Sequence, residues 1–179
     1  MDALSIHKNQ LYEALTMLDD REVWGAVETL RLVRNMKGTV YIIGNGGSAA
    51  TASHFANDLT KIVKIKAVCL NDLYPVVSAY GNDDGWGNMF VNPLSVMFDK
   101  SKDCLVGLSC SGESMNVVSA VMWASDALTI GLTGISNSSL INRAECSALV
   151  HAHAVDIRVQ EDIHMAVCHM IVRALQQDQ

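Results

Sequence analysis

Histidine and carboxylate side chains occur at two spacings that suit proton transfer. His54 and Asp58 are four residues apart in a helix-forming stretch, so they share one face of a helix. Glu161 and His169 are eight apart near the end of the chain, about 80° apart around a regular helix. Asp162, seven before His169, points nearer to its face. Imidazoles and carboxylates are the usual groups of general acid–base catalysis, although a solvated helix face is the ordinary alternative.

Two loops of small residues have the composition of phosphate-binding loops. The glycine loop, residues 44–48, reads GNGGS, and the serine loop, residues 109–114, reads SCSGES. Glycines let the backbone approach an anion, a following helix offers unpaired N–H groups, and hydroxyls donate to phosphate oxygens. An ordinary turn or helix cap is the alternative for each loop alone. The candidate phosphate ligands are Asn45, Gly46, Gly47, Ser48, Ser109, Cys110, Ser111 and Ser114.

Both loops follow short apolar runs that alternate with helix-forming segments. The runs predict strands at 39–43, 67–70, 104–108, 128–132 and 148–155. The segments predict helices at 48–63, 75–81, 114–127, 138–146 and 161–177. Strands that alternate with helices predict a parallel sheet covered on both faces, with ligands beyond the carboxyl ends of its strands. Residues 3–36 have the periodicity of helices that break near Asp19-Asp20, and we expect them to serve packing or oligomer contacts.

Composition limits the classes of function. The chain has 179 residues, which suits one domain, and its formal net charge is −6, which argues against nucleic acid as a partner. Its five cysteines are odd in number and form no CxxC pair, as expected for reduced thiols in the cytoplasm. The apolar runs are too short to span a membrane, and the first residues lack a secretory leader.

Several segments together resemble the sugar isomerase (SIS) domain family and, within it, the phosphoheptose isomerases. They are GNGGSAATASHFANDL, AYGNDDGW, SCSGESMNVV, TIGLTG and QEDIHMAVCHMI, in the family's order. The resemblance implies a three-layer α-β-α sandwich around a five-stranded parallel sheet. It implies one SIS domain over 1–179, with helices for packing and oligomerisation at 1–37 and an α/β core at 38–179. It also implies a homotetramer with active sites at subunit interfaces.

The implied activity is the conversion of D-sedoheptulose 7-phosphate to D-glycero-D-manno-heptose 7-phosphate through an enediol. This reaction begins bacterial heptose synthesis, for example for lipopolysaccharide. The implied phosphate ligands are Ser48, Ser109, Ser111 and Ser114, and Asn82 and Asp83 are candidates for sugar hydroxyls. His54 follows Ser48 by six residues, roughly 9 Å along a helix, which is comparable to an extended sugar phosphate.

Zinc-binding members of the family use a His, a Glu four residues later, a Gln, and a His eight residues after that Gln. This sequence keeps both spacings but has Asp58 in place of the Glu and Glu161 in place of the Gln. The resemblance therefore implies a divalent metal, with zinc as the candidate, on His54, Asp58, Glu161 and His169. It implies His169 as one acid/base, with Asp58 and Glu161 as base or ligands.

Two alternatives stay open at this point. One is a non-catalytic SIS protein that binds a sugar phosphate or a replication-initiator partner, and the other is an isomerase for another sugar phosphate. His164 lies off the face of His169 and is expected to be structural or to support neighbouring ligands.

Overall fold

The computed structural model describes residues 2–134, 141 and 146–178. Its sheet has five parallel strands in the order β2-β1-β3-β4-β5. The strands are β1 Thr39–Ile43, β2 Lys66–Cys69, β3 Cys104–Ser109, β4 Leu128–Thr133 and β5 Ala148–His151. Seven helices surround the sheet in the described part of the chain: α1 Ala3–Thr16, α2 Asp20–Met36, α3 Gly47–Lys61, α4 Tyr74–Asp83, α5 Val91–Met97, α6 Met115–Trp123 and α7 Ile157–Gln176. The parallel α/β architecture predicted from the sequence is confirmed.

The strand order places the two loops side by side. From β1 the chain moves outward to β2 and then returns to β3 on the other side of β1, with Ile43 opposite Gly107. The reversal of strand order opens a crevice at the carboxyl ends of β1 and β3. The glycine loop follows β1 and the serine loop follows β3, so both loops lie at this crevice.

Both faces of the sheet are buried, which makes three layers. Side chains alternate along β1, so Val40 and Ile42 join one apolar cluster while Tyr41 and Ile43 join the other. The first cluster packs beneath α2, α3 and α7, and the second beneath α4, α5 and α6. Because parallel strands buried on both faces need apolar residues throughout, the strands were visible in the sequence as continuous apolar runs.

The structure corrects several predicted bounds. β5 ends at His151, four residues before the predicted end, and α7 begins at Ile157 rather than at 161. Asp156 causes the early start, because its carboxylate caps α7 by accepting from the Arg158 N–H at 2.9 Å. α5 was not predicted, since seven residues are too few to show a helical period. The predicted helix at 138–146 lies outside the described residues except for its positions 141 and 146.

The N-terminal helices are separate, as predicted. Asp19 lies between α1 and α2 and caps α2 by accepting from the Arg21 N–H at 2.9 Å. Glu22, on the first turn of α2, accepts hydrogen bonds from the His151 backbone N–H and the His151 ring, which attaches this helix to β5. No helix in the described ranges is long and apolar enough to cross a membrane.

Candidate active site

His54, Asp58 and His169 form a compact group that we call the histidine–aspartate trio. The Nε2 atoms of His54 and His169 are 3.1 Å apart. Asp58 Oδ2 lies 3.3 Å from His54 Nε2 and 3.9 Å from His169 Nε2. Helix α3 supplies the first two residues on one face, as their spacing predicts, and α7 packs alongside to supply the third.

The trio is half open to solvent. Both imidazoles expose about half of their side chains, 47% for His54 and 52% for His169, whereas the Asp58 side chain exposes 12%. Asn57 fixes the Asp58 carboxylate by donating to Oδ1 at 3.0 Å, which leaves Oδ2 directed at the imidazoles. Asp58 and His169 border an open groove of about 610 Å³ that also exposes Met170 and Arg173. A ligand in this groove can therefore reach the His169 imidazole and the Asp58 carboxylate.

The donor set of the trio suits a divalent metal. Among the described residues, these three form the group of side chains that could hold an ion, with ligand atoms within 4.8 Å of one another. Ligands at about 2.1 Å from a tetrahedral zinc stand roughly 3.4 Å apart, and the three observed separations bracket that value. Two nitrogens and one oxygen are therefore a donor set that would fit zinc.

Glu161 does not join the trio. Its carboxyl carbon lies 2.5 Å from the position that a Cβ on Gly47 would occupy, so the carboxylate packs directly against the glycine loop. Because α7 begins at Ile157, Glu161 is beyond the first turn, and the angle of about 80° from His169 applies. Asp162 pairs instead with His7 at 3.1 Å. The structure therefore separates the four predicted residues into a trio and a carboxylate at the glycine loop.

Two asparagines that the sequence analysis missed hold the glycine loop in place. Asn71 accepts from the Gly44 N–H at 3.2 Å and donates to its carbonyl at 2.9 Å. Asn116, fully buried at the start of α6, exchanges two amide hydrogen bonds with Asn45 at 2.8 and 2.9 Å. Asn45 is a predicted phosphate ligand, which stays a prediction, and its side-chain amide supports the loop. A polar residue at the second position of the apolar helix α6 was the available signal.

The serine loop lies against the start of α3. Ser48 and Ser109 are buried, while Ser111 is exposed. The Ser109 hydroxyl accepts from the Ser114 N–H at 3.4 Å, and the Ser111 hydroxyl accepts from the Glu113 N–H at 3.1 Å. Ser48 Oγ is 3.9 Å from Cys110 Sγ, so the two loops meet. The predicted phosphate ligands are thus brought together at one end of α3.

Asn82 and Asp83 lie at the end of α4, both exposed, and bond to each other at 2.8 Å. Their predicted contact with sugar hydroxyls stays a prediction.

Under the loops, burial lowers the pKa of His164 to about 4 and raises the pKa of the Cys110 thiol. Both groups are therefore neutral near pH 7.

Comparisons with known proteins agree with this geometry. The family model for the SIS domain matches residues 8–134. The phosphoheptose isomerase of Geobacter metallireducens is 34% identical and is covered to 93% of its length by 89% of this chain. That of Helicobacter pylori strain HPAG1 is 30% identical, with 92% of this chain and 88% of the relative covered. The structure of phosphoheptose isomerase GmhA from Neisseria gonorrhoeae superposes with a TM-score of 0.88 at 27% identity, covering 97% of this chain and 95% of that one. This chain therefore belongs to the SIS domain family, and within that family it is a relative of the phosphoheptose isomerases.

Proposed function

We propose that this protein is an aldose–ketose isomerase that converts D-sedoheptulose 7-phosphate to D-glycero-D-manno-heptose 7-phosphate. One observation carries the proposal: a phosphate-type cradle and an acid–base trio lie along the same helix, α3. Six residues separate Ser48 from His54, roughly 9 Å of helix, which matches the length between a terminal phosphate and the reacting carbons of an extended sugar. The similarity to phosphoheptose isomerases supports a seven-carbon substrate.

The reaction moves one proton between neighbouring carbons. A base removes a proton from C1 of the ketose, the C1–C2 enediol forms, and an acid delivers a proton to C2. The hydroxyl proton on O1 is transferred to O2 as the carbonyl moves to C1. In the metal-free site, we assign the carbon-bound proton to Asp58 and the oxygen-bound proton to His169, because their nearest atoms are 3.9 Å apart and both border the groove.

A divalent metal, for which we propose zinc, would be held by His54, Asp58 and His169. Bound there, it would polarise the substrate carbonyl. Asn57 would then keep the Asp58 carboxylate oriented through its hydrogen bond to Oδ1.

Assembly and location belong to the same proposal. Large apolar side chains are exposed on α1 and α2, including Leu4, Tyr12, Trp24 and Leu32, and they support the homotetramer with shared active sites. All five cysteines are free, which supports a reducing compartment, namely the cytoplasm. The pathway we propose is the synthesis of bacterial surface heptose.

The convergence of two imidazoles and a carboxylate favours an enzyme over a non-catalytic sugar-phosphate or initiator-binding protein. Binding of a phosphorylated ligand alone gives no role to imidazole nitrogens 3.1 Å apart.

The test is to incubate the purified protein with D-sedoheptulose 7-phosphate, with and without added zinc, and to follow the sugar by NMR. We expect an aldose signal that is lost in the His169→Ala variant. His153→Ala is the matched control, because His153 lies near α1 and away from the trio. No aldose from folded protein at any metal loading would refute the activity. A pentose or hexose phosphate panel then separates this substrate from other sugar phosphates.

A further inference from the structure

Beneath the two loops, four groups form a continuous chain of polar contacts. Ser48 Oγ lies 3.9 Å from Cys110 Sγ, and Cys110 Sγ lies 3.8 Å from His164 Nδ1. On the other side of the ring, His164 Nε2 lies 3.1 Å from the carbonyl oxygen of Thr133, the last residue of β4. Ser48, Cys110 and His164 expose only 5%, 8% and 1% of their surface. This series of contacts therefore links α3, the serine loop, α7 and β4, and it is shielded from bulk solvent.

The direction of each hydrogen bond in this series of contacts follows from its last member, the Thr133 carbonyl. The Thr133 carbonyl only accepts, so His164 Nε2 carries a proton. Burial lowers the pKa of His164 to about 4, so the ring is neutral near pH 7 and Nδ1 is an acceptor. Cys110 must then donate its S–H to Nδ1. Its sulfur is left as the acceptor for the Ser48 O–H.

We propose that Cys110 and His164 are positioning residues that orient the Ser48 hydroxyl for phosphate binding. This inference rests on the proposed function, because it takes Ser48 to be a phosphate ligand. Neither residue touches the phosphate in this arrangement, and both act through Ser48. The assignment gives His164 a supporting role at the phosphate end of the site, rather than beside His169.

A thiol is suited to this position because sulfur is a weak acceptor. The contact with the sulfur holds the Ser48 oxygen in one position, and when phosphate binds the hydroxyl hydrogen turns from the sulfur to a charged phosphate oxygen with little loss. Hydrogen bonds to charged acceptors are roughly twice as strong as neutral ones, so phosphate wins this competition. The thiol is also a poor nucleophile here, because burial and, in addition, the nearby Glu161 carboxylate raise its pKa.

A double-mutant cycle tests the proposal. The variants are Ser48→Ala, Cys110→Ala and the double variant, and the readouts are the Kd of inorganic phosphate by calorimetry and the KM and kcat for D-sedoheptulose 7-phosphate. Ser48→Ala should weaken phosphate binding by about tenfold, the usual size for a lost bond to a charged group. Cys110→Ala should weaken it severalfold and raise KM with little change in kcat. In the Ser48→Ala background, Cys110→Ala should have no further effect.

Controls separate positioning from stability. Cys104→Ala removes another buried thiol from the strand that leads to the serine loop, and it should lower the melting temperature while leaving phosphate affinity unchanged. Cys110→Ser retains a donor and acceptor, so it should recover part of the loss. If Cys110→Ala does not fold, Cys110→Val fills the space without a donor and enters the same cycle. His164→Asn should resemble Cys110→Ala in the cycle.

The outcomes distinguish the two proposals. If Cys110→Ala weakens phosphate binding equally with and without Ser48, or does not weaken it at all, the positioning role of Cys110 and His164 is refuted. The isomerase proposal then still stands. If Ser48→Ala itself leaves phosphate affinity unchanged, Ser48 is not a phosphate ligand, and both this inference and the assigned phosphate cradle fail.

Discussion

Glu161→Gln should strengthen phosphate binding, since the substitution removes a negative charge beside the phosphate cradle. The Glu161 carboxyl carbon is 2.5 Å from the Cβ position of Gly47, the first residue of α3. A phosphate held by the N–H groups of that first turn lies about one helical pitch away, so we take a separation of about 5.4 Å. With a phosphate charge of about −1.5, Coulomb's law in a water-like dielectric gives about 1 kcal/mol of repulsion.

This repulsion corresponds to about a fivefold change in affinity, and a lower local dielectric would increase it. The assay is calorimetric titration with inorganic phosphate at low ionic strength, repeated at about 1 M salt, where screening should reduce the difference. Glu113→Gln is the matched control, because Glu113 is an exposed carboxylate on the serine loop and its charge is screened by solvent. We expect the control to change the affinity much less than Glu161→Gln does.

The same variant separates two roles for Glu161. A carboxylate at the phosphate end predicts a lower phosphate Kd and a modest change in kcat. A base or metal ligand at the reacting carbons, the role implied by family resemblance, predicts a fall in kcat of about a hundredfold or more with unchanged phosphate affinity. Unchanged or weaker phosphate binding in Glu161→Gln would refute the electrostatic reasoning from the Gly47 contact.

Contacts at the trio, at His164 and at Asn116 each have a measurable consequence. Zinc should raise the melting temperature of the protein, as ligands of the native state do, and His169→Ala or Asp58→Asn should remove most of that shift; an undiminished shift would place the metal elsewhere. The pKa of His164 is about 4 in the folded protein and near 6.5 when unfolded, so the unfolded chain binds more protons between these values and stability falls as the pH drops. Urea denaturation should show about 2 kcal/mol lost between pH 7.5 and pH 5 from this residue, and His164→Asn should lack that component. Asn116→Ala leaves the Asn45 amide without its partner, so it should cost about 1–3 kcal/mol in urea denaturation and weaken phosphate binding; full retention of both would show that the amide pair is dispensable.

Local patterns of residues predicted the structure correctly where local chemistry decides it. β1 occurs where predicted because TVYII must be buried on both faces of a parallel sheet, which requires an unbroken apolar run. The spacing of His54 and Asp58 placed them on one face of α3 because a helix repeats every 3.6 residues. Such patterns depend only on neighbouring residues, so they can be seen without the fold.

Hydrogen-bond partners that are distant in the sequence could not be predicted from local patterns. Asn116 lies 71 residues from Asn45, and Asn71 lies 27 residues from Gly44. A single asparagine in a sequence carries no sign of which backbone or amide it will meet. The bonds of these residues appear only once β1, β2 and β3 have aligned and set their loops side by side.

The sequence by itself determined the parallel α/β class, both loops, and the candidate acid–base residues His54, Asp58 and His169. Only the tertiary structure decided how these groups are divided. α3 and α7 pack side by side in the same direction, so His169 meets His54, while Glu161 meets Gly47 at the helix starts. The spacing of Glu161 and His169 along one helix is local, but the neighbour that each side chain faces depends on how two helices dock. That docking is set by the burial of their shared apolar surface against the sheet.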